Sequence, residues 1–383
     1  AIRASQLGMS VALVENKHLG GICLNWGCIP TKALLRASEI RHMLNNVSEF
    51  GFTVSDIKMD INNITKRSRN VASQLSTGIN HLLKKNKVKV FDGFGSLIKE
   101  TSTTKKISIK NKFETITKTA KNVILATGAR SRNLPFVSAD GINIWDYKTA
   151  MTPPKLPSSL VIVGSGAIGM EFASFYNDLG VDVTIVEALP TILPNEDNDI
   201  SNIVKANFVK RGIKIKTNTN LKSIVTKTNS ISAELFFNKK VEVINSEKLI
   251  LAVGIIANTE NLGLEHFNIK IDKGHVVTNE FLETDEKGIY AIGDITKGPW
   301  LAHKASHEGI LWLEKIAGHK NLKPIDTTSI PGCTYCRPQV ASIGMTESQA
   351  RSNGINLKIG KFPFVGNGKA IALGDSEGLI KTI

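Results

Sequence analysis

The chain has 383 residues, of which 42% are hydrophobic, 21% charged and 6% aromatic. That balance describes a globular protein, excludes a disordered one and leaves room for two or three domains. A formal net charge of +14 invites a nucleic-acid reading, but the lysines are dispersed. The clusters "HLLKKNKVKV" (81–90) and "TSTTKKISIKNKF" (101–113) carry no interleaved aromatics and no nucleic-acid motif. A solvated basic face, or attraction to anionic cofactors and partners, accounts for them. Four cysteines do not make a disulfide scaffold and fit an intracellular protein. No run reads as a transmembrane helix or a signal peptide.

In chain order, "AIRASQLGMSVALVE" begins as a helix already under way and runs into a strand ending at Glu15. A carboxylate closing a strand is the position that hydrogen-bonds a ribose in a dinucleotide-binding βαβ unit. The first strand and glycine loop of such a unit would precede Ala1. At the other end "GDSEGLIKTI" stops inside an expected strand, so the sequence reads as an excerpt of a longer one.

Next comes "LGGICLNWGCIPTKALL", Leu19 to Leu35, with two of the four cysteines. Pro30 argues against an uninterrupted helix through Cys28 but permits one that starts near it. The run Lys32–Glu39 has helical composition, so the cysteine pair stands near a helix start, where the macrodipole favours a thiolate. Redox use is the reading this setting favours; buried free cysteines or half of a zinc site remain open.

Residues 98–121, rich in Lys, Asn and Thr, predict β-hairpins with a polar face. "NVILATGARSR" reads as an apolar strand turning at Thr127-Gly128, and Pro153, Pro154 and Pro157 mark a linker. After it, "SSLVIVGSGAIGMEFASFYNDLGVDVTIVEA" predicts a complete βαβ unit. Its strand is Leu160–Val163, its turn Gly164-x-Gly166-x-x-Gly169, its helix about Ala167–Leu179, and its second strand Asp182–Val186 ends at Glu187. The glycines allow a tight turn, close approach of a pyrophosphate and close helix–sheet packing. Glu187 would accept from a ribose 2′-OH and repel a 2′-phosphate, which selects NAD over NADP. "KGIYAIGDI" predicts a strand ending at Gly293-Asp294, a carboxylate able to hold a cofactor's polyol hydroxyls. Cys333-x-x-Cys336 has the spacing of a redox or zinc motif.

Four strings, "GGICLNWGCIPTKALL", "VIVGSGAIGMEFASFYNDLG", "YAIGDITKGPWLAHKASHEG" and "IPGCTYCRPQVASIGMTESQA", resemble the flavin-dependent pyridine nucleotide-disulfide oxidoreductases. The resemblance covers essentially the whole chain and is greatest to the branch that oxidises dihydrolipoamide; "WLAHKA" and "NGKAIALG" point to its bacterial members. It implies an α/β fold with two Rossmann-like dinucleotide-binding domains, for FAD and NAD, plus an incomplete α+β interface domain. The implied boundaries are 1–150 (FAD domain, first part), 151–277 (NAD domain), 278–325 (FAD and central domain, second part) and 326–383 (dimer interface).

The resemblance also implies roles. Cys23 and Cys28 would form the redox disulfide, Cys23 meeting the substrate dithiol and Cys28 contacting the isoalloxazine. Lys32, paired with Glu171, would sit near flavin N5. Glu15, Gly20, Gly21, Gly95, Thr127, Gly128, Ala129, Asp294, Leu301, Ala302 and His303 would line FAD, His303 as a cofactor contact rather than a base. Gly164, Gly166, Gly169, Glu171, Glu187, Leu221 and Gly254 would line NAD. Where the family often has Gly-Arg-x-Pro-Asn, this chain has "GIIANTE" (Gly254–Glu260), which affects only NAD contacts in that loop. Cys333 and Cys336 would open the interface domain on a strand with a structural role, and no metal is expected.

The implied reaction passes electrons from dihydrolipoamide through Cys23–Cys28 and FAD, then as hydride to NAD⁺. Its implied partners are the lipoyl domain of a 2-oxo acid dehydrogenase complex acyltransferase and a second copy of the chain. A cytoplasmic location follows, with no nucleic acid and no membrane insertion. A glutathione or mercuric reductase, or an inactive remnant, is the alternative. The family's catalytic base, a histidine with a glutamate partner, would lie beyond Ile383, so residues 1–383 alone are expected to turn over slowly.

Overall fold

The apolar run before the glycine turn has no polar residue to show to water, as befits a strand covered on both faces. In the computed structural model, which describes residues 1–99 and 104–383, it is the strand Ser159–Val163 at the centre of a five-stranded sheet. The order is Lys214–Lys216, Asp182–Val186, Ser159–Val163, Lys248–Leu251, Ile144–Trp145, and every pairing is parallel. The helix Ala167–Asp178 buries Met170, Phe172, Phe175 and Tyr176, and the Tyr176 hydroxyl donates to Ala150 O at 2.6 Å. An antiparallel sheet of Asn220–Lys227, Ser230–Phe237 and Lys240–Ser246 adds the alternating residues Ile231, Ala233 and Leu235 to the core of Val161, Val163, Leu249 and Leu251. Alternation on one strand and continuous apolarity on the others are the two patterns such a sheet-on-sheet core requires.

The chain divides into two compact units. The one just described comprises 30–69, 131–254 and 331–383; the other comprises 1–29, 70–130 and 255–330. These limits differ from the expected 150/151 and 277/278. Strand Ile144–Trp145 pairs with Lys248–Leu251, which draws residues from 131 onward into the five-stranded sheet. The segment after Gly254 belongs to the other unit, where Leu97 N–H donates to Leu262 O at 2.8 Å.

That other unit pairs Ala12–Glu15 with Lys89–Asp92 and Val123–Leu125 with Ile289–Ala291, both parallel. Phe94–Ile98, Lys105–Lys110 and Thr115–Ala120 form an antiparallel sheet. The expected hairpin is thus Lys105–Ala120, and the part of that expectation falling on residues 100–103 lies outside the described residues. Leu97, Leu125, Leu262, Leu264, Ile289 and Ile295 make its core, and Ala4, Leu282, Trp312 and Leu313 a second cluster.

Residues 331–383 are tied to residues 131–254 of their own unit by charge. Asp178 receives Arg211 at 2.9 Å and Arg337 at 2.8 Å. Lys381, on the strand Leu379–Thr382, has a side chain only 5% exposed and meets Asp197 at 2.7 Å, Asp199 at 2.6 Å and Glu347 at 2.7 Å. Burial alone would lower the Lys381 pKa, but its three carboxylate bonds raise it. The pKa values of Asp199 and Glu347 are held down, by Lys361 and Lys381 for the first and by Lys381 and Arg351 for the second. A carboxylate whose folded pKa is depressed contributes stability above its unfolded pKa, about 4, and loses it as pH falls through the folded value. Lys381→Met therefore lowers the thermal midpoint most at neutral pH, and the deficit shrinks below about pH 4. Melting curves from pH 3 to 8 check this; a deficit independent of pH contradicts it.

Candidate functional site

The double glycine turns the chain into a short helix, Gly21–Trp26, with Gly20 at φ +94° and Gly21 at φ +71°. Asn25 is buried and its Nδ2 donates to Leu19 O and Gly21 O, both at 2.9 Å, while Ser76 Oγ donates to Leu19 O at 3.1 Å. Gly27 separates this helix from the next, Cys28–Asn45; a Cβ there would meet the Cys23 Cα and Ile22 O, each at 3.1 Å. The missing side chain lets the helices close on each other, and Cys23 and Cys28 form a disulfide with Cα atoms 4.7 Å apart. Pro30 lies within the first turn, where its missing N–H costs no intrahelical bond. Cys28 thus stands at the positive end of an 18-residue helix. Asn25 and Gly27 carried no sequence signal beyond ordinary helix and turn residues.

Lys32, one turn further along that helix, places its ammonium 3.9 Å over the Tyr335 ring. Glu171 accepts from Tyr335 N–H at 2.8 Å. The expected Lys32–Glu171 pairing therefore takes a different form: among the described residues they make no direct ion pair, and Tyr335 stands between their interactions. Burial raises the Glu171 pKa, opposed by the Tyr335 N–H and the Lys32 charge. Tyr335 lies inside Cys333-Thr-Tyr-Cys336, and spacing pointed to the cysteines instead. Both are free thiols, Cys333 exposed and Cys336 buried, and burial pushes the Cys336 thiol up to about 12.

In the glycine turn, Gly164 has φ +101° and a Cβ there would lie 2.3 Å from Ala252 O; a Cβ on Gly169 would lie 2.0 Å from Gly164 O. At Gly166, the N-cap of the 12-residue helix Ala167–Asp178, the space beside the Cα is open. Open backbone at a helix N-terminus fits a pyrophosphate. Glu187, buried at the strand end, accepts at Oε2 from Ser165 N–H at 2.8 Å and Ser165 Oγ at 2.6 Å, and at Oε1 from Leu189 N–H at 2.8 Å. Gly254 has φ +102° and its carbonyl accepts from Arg132 N–H at 2.9 Å. Leu221 is 8% exposed and packs in the apolar core between the two sheets.

The expected FAD residues of the other unit are built from comparable parts. Glu15 Oε1 accepts from Lys17 N–H at 2.8 Å and His18 N–H at 3.3 Å. Gly95 lies on the strand Phe94–Ile98, where a Cβ would meet Val14 Cγ1 at 3.2 Å. Thr127 Oγ1 donates to Asn258 O at 2.7 Å, Asn258 Nδ2 returns a bond to Thr127 O at 2.9 Å, and Asn258 N–H donates to Gly128 O at 2.9 Å. Ala129 follows, buried. Asp294 lies in the turn Gly293–Ile295, and burial raises its pKa against the pull of Lys304. Gly293 N–H donates to Glu308 at 2.7 Å, and Glu308 pairs with Lys304 at 2.7 Å, both side chains buried. Leu301 caps the helix Ala302–Ile316, whose first turn carries His303 on the exposed side. Among the described residues, His275 Nε2 is buried without a hydrogen-bond partner. A polar cofactor chain with hydroxyl groups fits such donors and acceptors. Asn258, Glu308 and Lys304 escaped the sequence reading.

The glycine turn at a helix N-terminus and the cysteine pair joined as a disulfide are the features of a disulfide oxidoreductase, and the chain belongs to the pyridine nucleotide-disulphide oxidoreductase family. That family's model matches residues 1–309, and its dimerisation domain matches residues 330–383. The dihydrolipoyl dehydrogenase of Zymomonas mobilis is 48% identical over 384 residues, covering 100% of this chain and 82% of the relative. That of Bacillus subtilis is 40% identical over 390 residues with the same coverage. Among solved structures, LpdA from Mycobacterium tuberculosis superposes with a TM-score of 0.92 at 26% identity, covering 100% of this chain and 84% of that one. The flavoprotein disulfide reductase RclA from Escherichia coli, at TM-score 0.85 and 24% identity, covers 100% of this chain and 82% of its own and shares the fold. Among the described residues no helix is long and apolar enough to cross a membrane.

The Lys32–Tyr335–Glu171 arrangement has a measurable consequence. Glu171 titrates above the ordinary glutamate value of about 4.3, and Lys32→Met, by removing the opposing cation, raises it further. A carboxyl titration followed by infrared or carbon-13 spectra, native against Lys32→Met, reads the difference; an unchanged value means the lysine charge does not reach Glu171.

Proposed function

We propose that this protein oxidises the dihydrolipoyl group and reduces NAD⁺: dihydrolipoamide + NAD⁺ → lipoamide + NADH + H⁺. The observation that carries the reading is the Cys23–Cys28 disulfide with Cys28 on the positive end of a long helix. It is supported by whole-chain similarity to proteins named dihydrolipoyl dehydrogenase. FAD and NAD are the cofactors.

The chain's own chemistry follows from that placement. When a substrate thiolate attacks Cys23 Sγ, the S–S bond breaks and Cys28 leaves as a thiolate that the helix dipole stabilises. The alternative attack, on Cys28, would expel the less stabilised thiolate, so Cys23 is the exchanging partner. The second substrate thiolate then attacks the sulfur joined to Cys23. This forms the cyclic disulfide of lipoamide and returns Cys23 as a thiol. The two electrons now reside on the Cys23–Cys28 dithiol pair. FAD, when bound, would supply the two-electron acceptor for this pair, with NAD⁺ as the final hydride acceptor. Lys32, four residues after Cys28 on the same helix, adds positive charge that favours a thiolate there. Glu15, Gly20, Gly21, Gly95, Thr127, Gly128, Ala129, Asp294, Leu301, Ala302 and His303 would hold FAD, and Gly164, Gly166, Gly169 and Glu187 would hold NAD.

The physiological substrate in this reading is the lipoyl domain of a 2-oxo acid dehydrogenase complex acyltransferase, met in the cytoplasm by a homodimer. The dimerisation segment supports the last point.

NADH formation from dihydrolipoamide by the FAD-loaded protein tests the reading. Cys23→Ser and Cys28→Ser should each reduce it to background, because neither variant can hold a disulfide. Turnover with glutathione disulfide and NADPH that exceeds the dihydrolipoamide rate would overturn the assignment. Coenzyme choice is a second measure. A fixed carboxylate facing a dianionic 2′-phosphate predicts kcat/KM for NAD⁺ about a hundredfold or more above that for NADP⁺.

A further inference from the structure

We propose that Ser165, the middle residue of Gly164-Ser165-Gly166, is a positioning residue for coenzyme selection: it locks the Glu187 carboxylate so that Oε1 alone meets the ribose. The proposal rests on the reading of Glu187 as the ribose contact and adds what fixes it. Ser165 is 0% exposed. Its N–H and its hydroxyl both bond to Glu187 Oε2, at 2.8 and 2.6 Å. A carboxylate oxygen accepts about two hydrogen bonds, so these two saturate Oε2. On Oε1 the Leu189 N–H takes one position at 2.8 Å and leaves one for a ligand hydroxyl.

Ser165 cannot yield, because every polar group it has is engaged. Its carbonyl accepts from Leu193 N–H at 3.0 Å, and the preceding Gly164 N–H donates to Val186 O at 2.8 Å. Gly164 is itself held with its Cα against Ala252 O, where a Cβ would fall at 2.3 Å. The turn therefore transmits to the carboxylate the rigidity of the two strands that flank Ser159–Val163.

A carboxylate locked this way serves rejection as much as binding. An unclamped glutamate facing a 2′-phosphate can swing aside and relieve the repulsion; a clamped one must give up charge-assisted hydrogen bonds to do so. The hydroxyl of Ser165 is thus a specificity element that acts through the Glu187 carboxylate.

The experiment compares kcat/KM for NAD⁺ and NADP⁺ in the FAD-loaded native protein, Ser165→Ala, Ser165→Thr, Glu187→Gln and the Ser165→Ala/Glu187→Gln pair. Ser165→Ala should lower the NAD⁺/NADP⁺ ratio roughly tenfold, the scale of one hydrogen bond to a charged group. Ser165→Thr, which keeps the hydroxyl, should retain most of the ratio. In the Glu187→Gln background Ser165→Ala should change the ratio no further, because the clamp has no charge left to hold. A ratio in Ser165→Ala within twofold of the native value overturns the proposal, as does an undiminished effect in the Glu187→Gln background. If Ser165→Ala does not fold, Ser165→Cys, a weak donor of similar size, gives the same reading.

Reduction of Cys23–Cys28 by dihydrolipoamide without pyridine nucleotide, followed by thiol count, separates the two readings. Its failure in the native protein overturns the dihydrolipoamide assignment and leaves the coenzyme ratio, measured by NADH- or NADPH-driven reduction of the same disulfide, to decide on Ser165.

Discussion

The nucleotide half of the chain depends on a contact that no side chain could survive. The helix Ala167–Asp178 lies so close to the turn below it that only hydrogen fits at Gly169, and the turn lies so close to Ala252 O that only hydrogen fits at Gly164. From that approach follow the burial of Phe172, Phe175 and Tyr176 against the sheet, the open backbone at Gly166 and the fixed position of Ser165. Packing at this density leaves little freedom for local adjustment, so the cofactor-facing geometry is inherited from the core.

The redox loop obeys a similar logic with different means. Its two cysteines belong to two helices, and the glycine between them removes the obstacle to their meeting. A buried asparagine then ties Leu19 O to Gly21 O across the left-handed double glycine. Such a loop holds its disulfide at the surface of a rigid frame, where an incoming dithiol needs access but the protein sulfurs must stay in register.

Much of this was legible because the signals are local. The βαβ unit has its strand at Ser159–Val163 and its helix at Ala167–Asp178, within a residue of expectation at each end. The cysteine pair and the glycine fingerprint announce themselves by spacing, which a short stretch of chain contains in full. Contacts that join distant segments left no such trace. Tyr335 meets Lys32 and Glu171 across more than 160 positions, and nothing in its neighbourhood distinguishes it from a strand tyrosine. Lys304 and Glu308 have the spacing of an ordinary surface pair on a helix, yet both are buried. The prolines near 153 mark the end of the helix Tyr147–Met151, inside a unit, because Ile144–Trp145 had already joined the sheet. Composition punctuates loops, while hydrogen bonding between strands decides which unit a segment joins.

Cys333 and Cys336 offer an experimental opening. With Cys23 and Cys28 joined, the oxidised chain has two free thiols, and burial leaves Cys336 almost without thiolate near neutral pH. A thiol-directed probe applied before reduction would therefore settle on the exposed Cys333 alone. That anchor is two residues from Tyr335, whose ring carries the lysine charge and whose amide holds the glutamate. A fluorophore or spin label there would report, from outside, on each change of charge within.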